Sequence, residues 1–221
     1  MYNLSKRLSV IFNMIPDNSR VADIGTDHAY LPVALFLSGK TKNIIACDIK
    51  EKPLSLARTN LDKSGCSFVQ TRLGNGLEPI NDNEVDCVVI AGMGGEVISD
   101  ILNASPLKQN ADILFLLQPM TRAGILRSWL YSNGFSFCET AVCDNKKVYS
   151  VFSAKQTGIK KHITPKEFFI GNMRGETPEE KQYINKQLLL IKDCIDSLKD
   201  VKGKEKDYNF YLEAYKNIME L

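Results

Sequence analysis

The sequence predicts an α/β fold in which a mostly parallel sheet is covered by helices on both faces. Over the first two thirds of the chain, short runs rich in β-branched residues alternate with runs of helical periodicity, a pattern typical of strands joined by crossover helices. The short runs are apolar enough to be buried on both faces of a sheet. Helical runs end at Gly39, Gly65 and Gly134, and glycine suits the left-handed conformation that ends a helix.

Seven strands are expected. Five parallel strands are predicted at residues 20–25, 43–48, 68–72, 85–91 and 113–118. Residues 135–143 and 148–154 flank the polar turn 144–147 and predict an antiparallel hairpin that completes the sheet. This layout is that of the Rossmann-like fold of class I methyltransferases, an analogy of fold alone.

Helices are predicted around these strands. A leading helix ends at Pro16, and its apolar stripe consists of Leu4, Leu8, Ile11, Phe12 and Ile15. Further helices are predicted at residues 31–38, 52–64 and 121–133, and one begins near Glu96.

The composition changes from about Gln156, so we expect a Rossmann-like domain at 1–156 and a helical domain at 157–221. Residues 164–167 and 177–180 each place Thr at a helix cap, Pro in the first turn and Glu three positions after the Thr. Two apolar stripes then predict an antiparallel coiled-coil hairpin. Their members are Ile184, Leu188, Ile191, Ile195 and Leu198, and Tyr208, Tyr211, Tyr215 and Ile218. The hairpin either packs only internally or also presents charged outer faces to a large polyanion.

The composition excludes several classes of protein. Of 221 residues, 44% are hydrophobic and 24% are charged, which is a globular rather than a disordered composition. The apolar runs fall far short of the roughly 20 residues that cross a bilayer, so we expect no membrane association. Lys and Arg number 28 against 26 for Asp and Glu, so any basic patch for nucleic acid must be made by folding.

The cysteines and histidines do not form the pattern of a metal site. The six cysteines include no CxxC pair and do not cluster around His28 or His162. Most lie within apolar strand patterns, which favours free buried thiols and a reducing cytoplasm. Whether Cys138 and Cys143 pair stays open.

The loop after the first strand indicates the kind of cofactor. The end of that strand and the loop contain Asp23 and Asp27 and, at Gly25, only one glycine of a GxGxxG set. A dinucleotide presses its pyrophosphate against backbone N–H groups at a helix start, and these carboxylates would repel it. S-adenosylmethionine carries an ammonium, a sulfonium and no phosphate. The acidic loop therefore favours S-adenosylmethionine over a nicotinamide dinucleotide.

The following loops supply the rest of the predicted cofactor site. Asp48 ends the second strand, where a carboxylate can accept both ribose hydroxyl protons. Asn75 lies in a glycine-flanked turn and either binds the adenine ring or is an ordinary turn residue. The predicted cofactor-binding residues are Asp23, Ile24, Gly25, Asp48, Ile49, Gly74, Asn75, Gly76, Ala91 and Gly92.

The glycine-rich segment 92–95 either makes room for a substrate base or permits a sharp turn. Enzymes that methylate exocyclic amines commonly carry an Asn/Asp-Pro-Pro-aromatic turn here, so its absence favours a ring nitrogen. Such a nitrogen attacks without losing a proton and becomes cationic. Asp27 is the candidate either to stabilise that charge or to take a proton from the neighbouring amino group. His28 and Tyr30 either orient and stack the base or are ordinary loop and packing residues.

Several motifs in one order resemble the bacterial TrmK family. They lie at residues 4–8, 23–32, 72–77, 91–95 and 117–119. That family methylates N1 of adenine 22 in the tRNA D arm with S-adenosylmethionine, and the resemblance extends over nearly the whole chain, including the C-terminal hairpin. It implies a cofactor site formed by Asp23, Gly25, Asp48 and Asn75, and a base-facing group formed by Asp27, His28, Tyr30 and residues 92–95.

A tRNA substrate must expose or flip its target adenine, and contacts to the RNA backbone must offset that cost. The predicted substrate-binding residues are Met93, Gly94, Gly95, Gln118, Lys6, Arg7 and Arg122. Additional basic residues are Arg20, Arg72, Arg127, Lys146, Lys147, Lys160, Lys161, Lys166 and Arg174. Those near the active face are expected to hold the L-shaped RNA together with one side of the hairpin. A monomer is expected, with a dimer through the C-terminal helices as the alternative.

Two other functions fit parts of the sequence. A methyltransferase of a small molecule or protein would use the hairpin as a lid or dimer element. A non-catalytic scaffold would bind the cofactor and recruit a partner through the hairpin. A nicotinamide dehydrogenase fits least well, because of the missing glycines and the additional carboxylate.

Overall fold

The computed structural model describes residues 4–221, which form a seven-stranded sheet with helices on both faces. The strands are β1 Val21–Ile24, β2 Ile44–Asp48, β3 Gln70–Leu73, β4 Cys87–Gly94, β5 Leu114–Thr121, β6 Phe135–Asp144 and β7 Lys147–Gln156. The helices are α1 Lys6–Met14, α2 Tyr30–Leu37, α3 Glu51–Lys63, α4 Gly95–Ala104, α5 Ala123–Ser132, α6 Pro165–Ile170, α7 Pro178–Leu198 and α8 Glu205–Met219, with a short 3-10 helix at Pro106–Gln109.

The strand order is β3-β2-β1-β4-β5-β7-β6. Strands β1 to β5 pair in parallel, and β7 pairs antiparallel with both β5 and β6. This arrangement confirms the predicted Rossmann-like class. It also creates a switch point at β1, since the chain first builds outward to β3 and then returns to place β4 on the other side of β1.

Three details of the sheet differ from the sequence prediction. The turn between β6 and β7 contains only Asn145 and Lys146, both with positive φ (48° and 63°), because Asp144 already pairs with Lys147. Residues 92–94 belong to β4, and Thr121 belongs to β5 rather than to a helix. The cause is continued pairing of these two strands beyond Ala91.

Strand β3 is a partial exception to the prediction of fully buried strands. It is one of the two edge strands, and none of its four residues is buried. An edge strand has a neighbour on one side only, so its environment depends on what covers it and not on its own apolar content.

The core is divided by the sheet into two clusters. Alternate residues of β4 point to opposite faces: Val88 and Ile90 join the cluster formed with α4 and α5, whereas Cys87 and Val89 join the cluster formed with α1 to α3. The period of two in a strand thus explains why β4 is apolar throughout.

The C-terminal helices form a third apolar cluster on the β6–β7 hairpin. Helices α7 and α8 pack against each other through most members of the predicted stripes, while Ala141 of β6 and Val148 of β7 join the same cluster. The helix starts are as expected, since Thr164 forms a full capping box with Glu167, and Thr177 accepts a hydrogen bond from the backbone N–H of Glu180. Coiled-coil geometry and the division at residue 156 stay predictions.

The cysteines are all free. Cys138 and Cys143 lie on the same strand, β6, five positions apart, so their side chains point to opposite faces and cannot pair with each other. Cys143 instead donates a hydrogen bond from Sγ to Oε1 of Gln182, at 2.8 Å. Within residues 4–221, no helix is both long and apolar enough to cross a membrane.

Candidate functional site

A cleft of about 590 Å³ opens at the carboxyl ends of the parallel strands, around the switch point at β1. All of the residues predicted to bind the cofactor line it, namely Asp23, Ile24, Gly25, Asp48, Ile49, Gly74, Asn75, Gly76, Ala91 and Gly92. They come from the ends of four strands, which the parallel arrangement brings to the same edge of the sheet.

Strand β1 holds a buried carboxylate without a cation near its carboxyl end. Asp23 is 6% exposed, and its Oδ2 accepts a hydrogen bond from the Thr26 hydroxyl at 2.7 Å. Burial raises the pKa of Asp23 to about 6, and the nearby Asp48 adds to the rise, whereas the Thr26 hydrogen bond opposes it. The loop after β1 is held by Gly25 N–H and Thr26 N–H, which both donate to the Cys47 carbonyl. A charge at Asp23 would therefore gain from a cationic ligand.

Asp48 is oriented by the backbone on both of its sides. Its Oδ2 accepts from Asp27 N–H at 3.3 Å, and its Oδ1 accepts from Lys50 N–H at 3.0 Å. A carboxylate has about four acceptor positions, so two remain for hydroxyl donors. Since Asp48 lines the cleft, it is placed to bind a vicinal diol.

The predicted catalytic residues lie at the rim of the cleft. Asp27 has a φ of 52° and its side chain is 67% exposed. His28 Nε2 lies 3.7 Å from Asp27 Oδ2, and the His28 ring stacks on Tyr30 with a centroid separation of 5.3 Å. Asp27 and Tyr30 line the cleft, whereas His28 does not. The three side chains form one polar and aromatic group beside the opening.

The glycines of the β3 loop are required by packing. An added Cβ at Gly74 would meet Pro79 at 2.8 Å, and one at Gly76 would meet Ile101 at 2.8 Å. The loop is attached to β2 by the hydrogen bond from Gly74 N–H to the Asp48 carbonyl. Asn75 is exposed between them and lines the cleft, where a flat ring can approach its side chain.

The opposite wall is formed by the end of β4 and by α1. The terminal methyl of Met93 covers Gly25, whose φ of 73° favours glycine, and Gly92, with a φ of 83°, faces the Arg7 guanidinium. Arg7 Nη1 donates to Gln118 Oε1 at 2.9 Å, and its Nε lies 3.6 Å from Asp144 Oδ2. Arg7 is thus a cation in the cleft wall, and Gln118 and Asp144 fix the position of its guanidinium.

The sequence profile described as a methyltransferase domain matches residues 4–152, which include every strand end that forms this cleft. The chain belongs to this methyltransferase family. Within residues 4–221 of the methyltransferase, no group of three or more His, Cys, Asp or Glu side chains is arranged to hold a metal ion.

The relatives and solved structures most similar to this methyltransferase include tRNA methyltransferases of the TrmK family. The tRNA (adenine(22)-N(1))-methyltransferase of Bacillus subtilis (strain 168) is 38% identical over 154 residues, which are 69% of this chain and 65% of that relative. The crystal structure of the B. subtilis m1A22 tRNA methyltransferase TrmK is 28% identical, with a TM-score of 0.88 over 100% of this chain and 99% of that one. The M. capricolum TrmK structure, in complex with the cofactor product S-adenosyl-homocysteine, is 28% identical, with a TM-score of 0.81 over 98% and 96%. The resemblance to the TrmK family is thereby confirmed.

Several predicted substrate-binding residues of the methyltransferase lie outside the cleft. They are Lys6, Gly94, Gly95, Gln118 and Arg122, whereas Arg7 and Met93 line it. Gln118 is fully buried and holds Arg7. Gly95 is required by packing, since a Cβ there would collide with the Arg122 carbonyl. Arg122 forms an exposed ion pair with Glu96.

Two residues that orient this site were missed by the sequence prediction. Thr26 binds the buried carboxylate of Asp23, and Asp144 at the end of β6 pairs with Arg7 of α1. The position of Thr26 between two acids could have indicated its role, because a hydroxyl there can donate to either. Nothing near Asp144 in the sequence indicates a partner 137 positions away.

Proposed function

We propose that the chain transfers a methyl group from S-adenosylmethionine to N1 of adenine 22 in the D arm of tRNA. The observation that carries the proposal is the acidic, phosphate-repelling cleft at the switch point of a methyltransferase-family fold. The named relatives support the same substrate and reaction.

The residues of the cleft fit S-adenosylmethionine. Asp48 has two acceptor positions left for the ribose hydroxyls, and Asn75 lies beside a glycine-flanked opening for the adenine ring. Asp23 provides a buried negative charge near Gly25 for the cationic amino-acid end. When bound, the cofactor supplies a methyl group on a positively charged sulfur.

The protein has little proton chemistry to perform. The N1 lone pair forms the new bond to the methyl carbon, the carbon–sulfur bond breaks with its electron pair left on sulfur, and the adenine ring becomes cationic. Asp27, at the rim, stabilises that charge, and the stacked pair His28 and Tyr30 provides an aromatic surface for the base. Alignment of nucleophile, carbon and sulfur provides the remainder of the rate enhancement.

The RNA is held by basic residues near the cleft and at the β6–β7 turn. Lys6 is exposed on α1, next to Arg7 at the cleft, and Lys146 and Lys147 are exposed at the β6–β7 turn. Arg127 cannot contribute, because it is completely buried. The apolar stripes of α7 and α8 already cover each other, which favours a monomer. Binding should weaken steeply with salt.

The deciding experiment incubates the full chain with methyl-labelled S-adenosylmethionine and unmodified tRNA, then maps the labelled nucleoside. We expect 1-methyladenosine at position 22 and no label in a tRNA that carries guanosine there. Label on protein or on a small molecule, with unlabelled tRNA, would refute the tRNA reaction. Calorimetry with S-adenosylmethionine and with NAD as the control ligand tests the cofactor separately.

A further inference from the structure

A second cleft, of about 420 Å³, lies between the end of β5, the start of β7 and the helices α6 and α7. It shares no lining residue with the cofactor cleft. The two are nevertheless adjacent, because Pro119 in its wall pairs with Met93 in the wall of the cofactor cleft. Both clefts therefore open beside the ends of the neighbouring strands β4 and β5.

Four aromatic residues contribute to the walls of this second cleft. Tyr149 comes from β7, Phe168 and Phe169 from α6, and Tyr183 from α7. Phe168 and Phe169 are only partly buried, although they pack edge to face on each other. Aromatic side chains that line an open cleft offer stacking surfaces to a flat ring, and unpaired nucleobases are recognised in this way.

A polar group in the same wall lacks a partner. Ser150 is 1% exposed, and its Oγ is buried with no hydrogen-bond partner among the described residues. A buried hydroxyl without a partner is costly to the fold. Ser150 lines the second cleft with its hydroxyl just beneath the surface, so a small movement of the side chains above it would let a ligand with a donor or acceptor at its edge satisfy it. Gln187 adds a side-chain amide at the same cleft.

The cleft also contains a cation that is not neutralised. Lys186 Nζ donates to the Val148 carbonyl at 3.2 Å, and no carboxylate of the described chain lies within ion-pair distance of it. Partial burial of the ammonium and the neighbouring Lys147 both lower the pKa of Lys186, although the residue as a whole is exposed. An anionic group in the cleft would relieve this repulsion. Arg122, in contrast, is already paired with Glu96.

We propose that the second cleft binds an unpaired nucleobase of the substrate RNA together with its phosphate. The ring packs on the aromatic walls, Ser150 and Gln187 bind the base edge, and Lys186 contacts the phosphate. This inference rests on the proposed function only in taking RNA as the substrate. The ring surface, the polar edge and the cation together match a nucleotide, whereas a purely apolar ligand would leave Ser150 and Lys186 without partners.

The first test compares charge reversals at two exposed lysines of α7. Lys186→Glu changes the cleft, whereas Lys192→Glu makes the same change outside it. We expect Lys186→Glu to weaken tRNA binding by about tenfold or more, and Lys192→Glu by no more than about threefold. Affinity for S-adenosylmethionine should stay unchanged in both. Equal losses for the two variants, or none for Lys186→Glu, would overturn the inference.

The second test removes only the hydroxyl. Ser150→Ala should weaken tRNA binding roughly two- to tenfold while its midpoint of thermal unfolding stays equal or rises, because a buried group without a partner is lost. A purely structural role predicts no change in tRNA affinity, and that result would count against the proposed binding of RNA in the second cleft.

A third test is photocrosslinking from thiouridine-substituted tRNA, which should label Tyr149, Phe168 or Phe169. Labels confined to α8 would contradict binding of the RNA in the second cleft.

The two proposals fail in different ways. If the wild-type chain binds tRNA through Lys186 and Ser150 but transfers no methyl group, the proposed reaction is refuted. The proposal that the second cleft binds RNA is then retained. If methyl transfer to adenine 22 is normal in both variants at limiting tRNA, the reaction stands and the cleft is refuted. Absence of any tRNA binding refutes both.

Discussion

Two buried carboxylates of this protein, Glu139 and Asp23, differ in whether a cation neutralises them. Glu139, whose side chain is 3% exposed, receives two hydrogen bonds from the guanidinium of the completely buried Arg127, at 2.8 and 2.5 Å. Arg127 also donates to the carbonyls of Phe168 and Phe169 and to the Tyr183 hydroxyl. Asp23 is buried as deeply, yet its hydrogen-bond donor is the neutral hydroxyl of Thr26.

The difference separates a structural charge from a functional one. At Arg127 every charge is matched within the protein, and the pair attaches the C-terminal helices to α5 and β6. At Asp23 burial is not compensated, so the pKa rises to about 6. A site that keeps an unmatched charge is ready for a charged ligand, and it loses stability for that reason.

The largest effect is expected from breaking the matched pair. Arg127→Met leaves Glu139 buried without a cation and should lower the free energy of unfolding by about 3–5 kcal/mol in urea denaturation. The matched control Arg58→Met breaks an exposed pair with Glu51 and should cost less than about 1 kcal/mol. Adding Glu139→Gln to Arg127→Met should restore part of the loss. Equal costs for Arg127→Met and Arg58→Met would contradict the distinction.

The next effect concerns the exposed acid at the rim. Asp27→Asn keeps a residue that tolerates positive φ but removes the charge that stabilises the methylated ring, so kcat should fall by about 100-fold. Cofactor affinity, measured by calorimetry, should change little. Asp17→Asn, which alters an exposed acid paired with Lys40, is the control. An unchanged kcat for Asp27→Asn would remove this residue from the chemistry.

A moderate gain in the free energy of unfolding is expected when Asp23, the carboxylate without a cation, is replaced. Because its folded-state pKa of about 6 lies above the ordinary 3.8, the native protein binds this proton more tightly than the unfolded chain does. Wild-type stability therefore falls as the pH rises from about 4 to about 6, and the loss is complete above that. Asp23→Asn should be more stable than wild type at pH 8 by about 1–3 kcal/mol, and the difference should vanish near pH 4.

The smallest expected effect is a pH dependence of S-adenosylmethionine affinity caused by Asp23. Protonation of Asp23 below pH 6 removes the negative charge offered to the cofactor, so S-adenosylmethionine affinity should fall by up to about tenfold between pH 7 and pH 5. In Asp23→Asn, affinity should be weak at both pH values and nearly independent of pH. Calorimetric titrations at several pH values provide the measurement, and parallel curves for the two proteins would contradict it.

The parts of the site that sequence reasoning could place are those set by strand ends. Asp23 and Asp48 lie at the ends of buried strands and Asn75 follows the exposed strand β3, and a parallel sheet brings all such positions to one edge whatever its detailed packing. Gln118 and Arg127 could not be placed in this way. Each is polar and suggests exposure, yet each is completely buried because a partner distant in the chain satisfies it.

The amino-acid sequence by itself determined the order and kind of the elements, the acidic character of the cofactor loop and the capped starts of α6 and α7, since these depend on periodicity and on neighbours a few residues apart. The tertiary structure alone decided that β4 and β5 continue past Ala91, that Asp144 holds Arg7, and that Ser150 lies without a partner in a second cleft. These features depend on which segments meet across the fold, and the environment of a polar side chain is known only when its distant neighbours are in place.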